Sequence, residues 1–152
     1  MLRNYYFLLI LVLAGCGANG SKAPVELPPA GKKVIFKSFG ATFCVPCIEE
    51  LPELNSALKS LSSAESSQVQ AKLYVTDVST ESSAEAWASK LGWTFEVGPD
   101  YRCRDEYAKY WSGCTIPGNI LLDANGNVLK NFGIGKLSGE RLVSEIRKHL
   151  LQ

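Results

Sequence analysis

One histidine, His149, and one methionine, Met1, occur among 152 residues, so a metal site built on imidazole or thioether ligands has almost nothing to draw on. The longest apolar block runs only from Tyr5 to Ala14, well short of the roughly 20 residues a spanning helix needs. Charge is balanced as well. Sixteen Lys and Arg stand against fifteen Asp and Glu, and no basic cluster forms a phosphate-binding stripe, which argues against nucleic acid as a partner. No internal repeat divides the chain. What remains is apolar in 46% of its residues, enough for the core of one domain.

Five cysteines are present, and the first belongs to a leader. Arg3 followed by the block Tyr5 to Ala14 has the proportions of an export signal, and it ends in Leu13-Ala14-Gly15-Cys16. That tetrapeptide resembles a bacterial lipobox, which implies cleavage before Cys16, lipidation of its sulfur and acylation of the new amino terminus. An ordinary export signal cleaved nearby would leave Cys16 a spare thiol instead. Several acyl chains anchor a protein stably, whereas one binds only marginally. Residues 1–15 are thus expected to be a lipoprotein signal peptide, and 16–31 the lipidated cysteine and a tether. Gly17 to Lys32 is rich in Gly, Pro, Ala and Ser and has neither a helical nor a strand period, as a flexible to semi-extended linker requires. The expected location is the bacterial cell envelope, anchored by lipid on the periplasmic face. Gly17 stands where an Asp retains some lipoproteins at the inner membrane, which leans the expectation toward the outer membrane.

In the remaining domain, residues 32–152, the run Phe43-Cys44-Val45-Pro46-Cys47 carries the chemistry. Two thiols separated by two residues can close and reopen a disulfide with little backbone movement. The run lies between a β-type segment, Val34 to Phe39, and a helical pattern beginning near Cys47, in which Leu51, Leu54, Leu58 and Leu61 share a face and Pro52 sits inside. A helix start offers unpaired N–H groups and the positive end of the dipole, both of which favour thiolate over thiol. The thiolate is the species that attacks disulfides.

Further elements are read from pattern. A second strand is expected over Leu73 to Val78, then a helix capped by Ser82 or Ser83 and running through Trp87 to about Leu91. A short strand over Phe95 to Val97 and a helix from Arg102 to Trp111 follow. Ile120 to Leu122 and Val128 to Phe132 flank Asp123-Ala124-Asn125-Gly126-Asn127, a strong hairpin signal. The last helix is expected from Ser138 to Leu150, with Leu142, Ile146 and Leu150 on one face. This order argues for an α/β sandwich with a mixed sheet covered on both faces.

Ala41-Thr42-Phe43-Cys44-Val45-Pro46-Cys47, Glu50-Leu51-Pro52, Thr115-Ile116-Pro117 and the Ile120 to Val128 hairpin together resemble the thioredoxin family. The similarity is greatest to its membrane-tethered TlpA-like and ResA-like branch and covers about Lys32 to Leu150. It implies a three-layer α/β/α sandwich and a protein thiol–disulfide oxidoreductase with no cofactor beyond the Cys44/Cys47 pair. Ile116-Pro117 would be a cis bond against that pair, forming with Phe43, Val45 and Pro46 the loop that meets an extended substrate. The implied partners are exported proteins carrying disulfides or dithiols, met as a monomer and as a reductant, as in cytochrome c biogenesis.

Departures from the family bear on the mechanism. Phe43 stands where Trp is common before the first cysteine and lacks the indole N–H. Ser38 replaces the acid that cytoplasmic thioredoxins bury under the pair, so a proton acceptor must come from elsewhere or from water. Asp77 and Glu81 lie where the ResA-like branch places an acid, and solvated loop or capping roles fit them equally. Gly118 follows Pro117 where Thr is frequent.

The sequence leaves the pairing of Cys103 and Cys114 open. In one helix they would lie about 16 Å apart, too far to bond, and they can pair only if that helix ends early and Ser112-Gly113 folds Cys114 back. A structural disulfide is the first expectation outside the cytoplasm, and a second redox pair, or exchange of Cys114 with Cys44 or Cys47, is the other. A Cu(I)-binding metallochaperone without redox turnover is the rival to enzymatic function, since close thiolates select Cu(I). Zinc is weaker because Cys103 and Cys114 lack CxxC spacing. A peroxidase would want Thr42 placed differently relative to Cys44, with a proline four residues before it.

Overall fold

The structure, a computed structural model, describes residues 34–151. The expected signal peptide, Cys16 and the tether lie outside the described residues. The elements in chain order are β1 (Val34–Gly40), α1 (Val45–Lys59), α2 (Ser63–Ser66), β2 (Val69–Val75), α3 (Glu81–Lys90), β3 (Glu96–Pro99), β4 (Gly118–Leu122), β5 (Val128–Ile134) and α4 (Gly139–Leu150). Five strands form one sheet in the order β3-β2-β1-β4-β5. β1 runs parallel to β2, and β2 to β3, while β1–β4 and β4–β5 are antiparallel. β1 is therefore central, and its Val34-Ile35-Phe36 run is apolar on both faces, as a strand covered on two sides must be.

Alternation along the strands sorts the core into two layers. On one face Phe36, Leu73, Val75 and Leu121 pack with Leu51, Leu54 and Leu58 of α1, Ala84 and Ala88 of α3, and Leu142, Val143 and Ile146 of α4. On the other, Phe39, Ile120 and Leu122 meet Cys103 and Tyr107, with Tyr74, Tyr110 and Trp111 around them. Phe39 stacks on Tyr74 with ring centroids 5.1 Å apart and meets Tyr107 and Trp111 edge-on, geometries that aromatic quadrupoles favour. The sheet is thus covered on both faces, but by unlike layers.

The helix expected from Arg102 to Trp111 does not form. Two 3₁₀ turns, Tyr101–Cys103 and Tyr107–Lys109, replace it. Arg102 and Cys103 both have left-handed backbone, φ 60° and 55°, which interrupts a right-handed helix at its first turn. The buried Asp100 carboxylate accepts the N–H groups of Asp105 and Tyr107 at 2.9 and 2.7 Å, and Arg102 N–H donates to the Thr76 carbonyl at 2.7 Å. The Asp100 carboxylate thereby takes two donors, the Asp105 and Tyr107 N–H groups, that a helix would have used, and the Arg102 bond ties the start of the segment to the residue after β2. Lys37, on β1, then pairs with Glu106 and lies beside the Tyr110 ring, fastening the segment to the sheet.

Smaller differences concern boundaries. α1 begins at Val45 rather than near Cys47 and ends at Lys59 rather than Ser62, because Ser62 and Glu65 form a reciprocal capping box that starts α2. β2 covers Val69–Val75 instead of Leu73 to Val78, extended at its start by pairing Val34 with Val69. Thr80, not Ser82 or Ser83, caps α3, its hydroxyl accepting from Ser83 N–H. No helix among the described residues is long and apolar enough to cross a membrane.

Candidate functional site

The C-terminal ends of β1 and β2 and the start of β4 converge on the N-terminus of α1. β1 stops at Gly40, three residues cross the sheet edge, and Cys44 caps α1. Its Sγ accepts the Cys47 N–H at 3.2 Å, so the first sulfur already occupies the anion position of a helix start. Cys44 and Cys47 are bonded, with S–S 2.01 Å and Cα atoms 5.2 Å apart. Cys44 is 6% exposed and Cys47 1%, so an approaching group reaches Cys44 first.

The pair sits in a small apolar cluster with Ala41, Trp87 of α3 and Ile116. Gly40 makes this possible. A Cβ there would stand 3.3 Å from Cys47 Cβ and 3.4 Å from its sulfur, close enough that the disulfide would have to shift by a few tenths of an ångström. Ile116-Pro117 is a cis peptide bond, and Ile116 packs on the disulfide from the side of β4. Gly118 next to it has a local reason as well: a Cβ would come within 3.3 Å of both Ile134 and the Trp111 ring. Phe43 and Val45 stand out from the site, 74% and 63% exposed, while Pro46 lies in the first turn of α1.

The two acids picked from the sequence are separated. Asp77 follows β2, and its carboxylate accepts both the Thr42 N–H, at 3.0 Å, and the Thr42 hydroxyl. Glu81 opens α3 and is exposed. The carboxylate that the sequence reasoning passed over is Glu50. It lies one helical turn after Cys47 and is completely buried, accepting from Asn119 Nδ2 at 2.9 Å and from the Leu137 N–H. Burial raises its carboxyl above the ordinary value, and the bonds from Asn119 and Leu137 oppose the rise only in part. A signal was available: Cys47, Glu50, Leu51 and Leu54 share one helical face, so a glutamate sat within the apolar stripe. Trp87, which the sequence offered only as a residue of the α3 helix, is likewise a wall of the site.

Cys103 and Cys114 are bonded, with Cα atoms 5.5 Å apart. Because no helix separates them, Gly113 at φ 75° can turn Cys114 back. The bridge closes on the segment just before the cis bond, where the Tyr107 hydroxyl donates to the Thr115 carbonyl at 2.7 Å and accepts its N–H at 3.0 Å. Among the described residues no three His, Cys, Asp or Glu side chains gather as a metal-binding group. Cys16 lies outside the described residues.

The arrangement can exchange disulfides: a buried, helix-capped sulfur pair with one member reachable, flanked by a cis-proline loop. Among solved structures the chain is similar to StoA from Bacillus subtilis, with 22% identity over 77% of this chain and 84% of that one and a TM-score of 0.60. It is similar to a candidate protein disulfide isomerase from Bacteroides thetaiotaomicron, with 25% identity, coverage of 79% and 75% and a TM-score of 0.64. A secreted disulfide oxidoreductase from Mycobacterium tuberculosis follows at 18% identity, 76% and 81% coverage and a TM-score of 0.57. No curated protein matches. A model of the AhpC/TSA family matches residues 18–142, most of the chain, and the protein accordingly belongs to the AhpC/TSA family, with a thioredoxin-like fold.

Proposed function

We propose that this protein is an extracytoplasmic thiol–disulfide oxidoreductase that reduces disulfides in exported proteins while held at the cell envelope by lipid on Cys16. The observation that carries the reading is the Cys44 sulfur at the cap of α1, accepting the Cys47 N–H, with Ile116 packed against the pair. In the reduced protein the same cap position favours the Cys44 thiolate.

That thiolate attacks one sulfur of a partner disulfide. The partner S–S bond breaks, its released thiolate takes a proton, and a Cys44–partner mixed disulfide forms. Cys47 gives up its proton and attacks the Cys44 sulfur, closing Cys44–Cys47 and expelling the second partner thiol. Two electrons and two protons have then passed to the partner, and an upstream dithiol restores the pair. Ser38 supplies no acid beneath the site, and Glu50 is the titratable group on the buried face one turn from Cys47. Its raised carboxyl suits it to take up the Cys47 proton at a pH where an exposed glutamate would not.

Replacing Cys47 by Ala should leave Cys44 joined to its natural partner as a mixed disulfide recoverable from the envelope, while Cys44→Ala should trap nothing. A correctly folded Cys47→Ala protein that captures no partner would overturn the exchange reading. A reduction potential as oxidising as about −120 mV would reverse the direction, and an unmodified Cys16 in the mass of the mature protein would remove the anchor.

A further inference from the structure

Thr76 and Asp77, at the end of β2, grip the loop in front of Cys44. The Thr76 N–H and hydroxyl donate to the Gly40 carbonyl at 2.8 and 3.1 Å. The Thr42 N–H donates to Asp77 Oδ1 at 3.0 Å, and the Thr42 hydroxyl to Oδ2. Both carboxylate oxygens are thereby committed to the residue two before the reactive cysteine. The Cys44 N–H in turn donates to the Ala41 carbonyl at 3.1 Å, so the loop is fixed from both ends.

Phe43, between the gripped residue and the cysteine, projects with 74% of its surface exposed, and Val45 and Ile48 on the next turn are 63% and 37% exposed. A phenylalanine so displayed forgoes the burial that normally pays for its presence. In a mixed disulfide the partner cysteine lies with its Cα about 5.5 Å from that of Cys44, so the residues flanking it come within reach of the exposed side chains of Phe43 and Val45, which adjoin Cys44 in sequence.

We infer that Asp77 is a positioning residue: acting through Thr42, it holds Phe43 beside Cys44 as a docking side chain for a partner segment bearing a large apolar residue next to its cysteine. The inference rests on the exchange function proposed above and names the substrate class of that same site.

Two synthetic peptide disulfides, identical except for Leu or Ser beside the cysteine, test it with the reduced protein. The wild type should favour the Leu peptide by about tenfold in kcat/KM, most of it in KM. Asp77→Ala should bring the ratio close to one. Asp77→Asn should keep it, because Oδ1 still accepts the Thr42 N–H and Nδ2 can donate to the Thr42 hydroxyl. Thr42→Val should reduce the ratio and Thr42→Ser should restore it, a second pair that stands if Asp77→Ala does not fold. A ratio unchanged in Asp77→Ala and Thr42→Val would overturn the inference. So would an Asp77→Asn protein as impaired as Asp77→Ala, which would assign the effect to proton transfer. A wild type inert toward both peptides would overturn the exchange reading itself, and the inference with it.

Discussion

Glu50 offers the sharpest test of how the site is built, because two substitutions of one residue should act in opposite ways. The carboxylate is fully enclosed and receives two hydrogen bonds, from Asn119 Nδ2 and the Leu137 N–H. Glu50→Ala leaves both donors buried and unpaired, and at about 1–3 kcal/mol per orphaned group the loss should reach about 2–4 kcal/mol once the relief of the buried charge is subtracted. Glu50→Gln keeps an oxygen for the Leu137 N–H and gains an amide donor. Asn119 Oδ1 is buried without a partner, and a turn of the Asn119 amide lets it accept that donor. The Gln variant therefore exchanges a buried charge for a neutral pair and should match or exceed the wild type at pH 7. The pH dependence carries a sign. A carboxyl raised in the folded state contributes stability that is complete below its unfolded value of 4.5 and is lost as pH rises through the folded value. The Gln variant should thus gain on the wild type with rising pH, and the two should converge below pH 4.5. Urea titrations of both variants from pH 4 to 8 read this directly. A Gln protein as unstable as Ala at pH 7, or an advantage that grows as pH falls, would refute the reasoning.

Other perturbations follow the same logic. Cys103→Ala with Cys114→Ala removes a bridge across 11 positions and should cost about 3 kcal/mol by loop-closure entropy, seen as a lower urea midpoint with Cys44–Cys47 left intact. Burial alone would raise the Glu106 carboxyl, but hydrogen bonds from Lys109 and Lys37 and the Lys37 charge outweigh it and hold it at about 2. The stability this gives is present above pH 4.5 and is lost as pH falls from 4.5 toward 2, amounting to at most about 3 kcal/mol. Lys37→Met should flatten that part of an acid titration followed by near-UV circular dichroism. Gly139→Ala places a Cβ 2.6 Å from Ala57 Cβ and 3.1 Å from the Glu53 carbonyl, so the α1–α4 contact must open at a cost of about 1–3 kcal/mol in thermal unfolding.

How far these features could be read from sequence varies with the kind of interaction that sets them. The strands β1 and β4, expected over Val34 to Phe39 and Ile120 to Leu122, the helix α4 and the Asn125-Gly126 hairpin were legible because period and turn chemistry are local properties. The Cys44/Cys47 pair at a strand-to-helix junction was legible for the same reason. The segment from Arg102 to Trp111 was misread as helix: its local pattern permits one, but the Asp100 carboxylate, the Thr76 carbonyl and the aromatic face of the sheet hold its backbone elsewhere. Asp77 and Glu81 looked equivalent as acids near the end of a strand. One of them clamps Thr42 and the other faces solvent.

The sequence by itself determined the reactive pair, its place at a helix start, the proline beside it and the order of elements, since each is written in neighbouring residues. Only the tertiary structure decided which carboxylate lies buried one turn from the pair, that Trp87 walls it, that Cys103 reaches Cys114, and that Phe43 is displayed rather than packed. Those outcomes depend on contacts between residues tens of positions apart, as Glu50 with Asn119 and Thr42 with Asp77 show, and such pairings follow from how the layers close on the sheet, which no local pattern encodes.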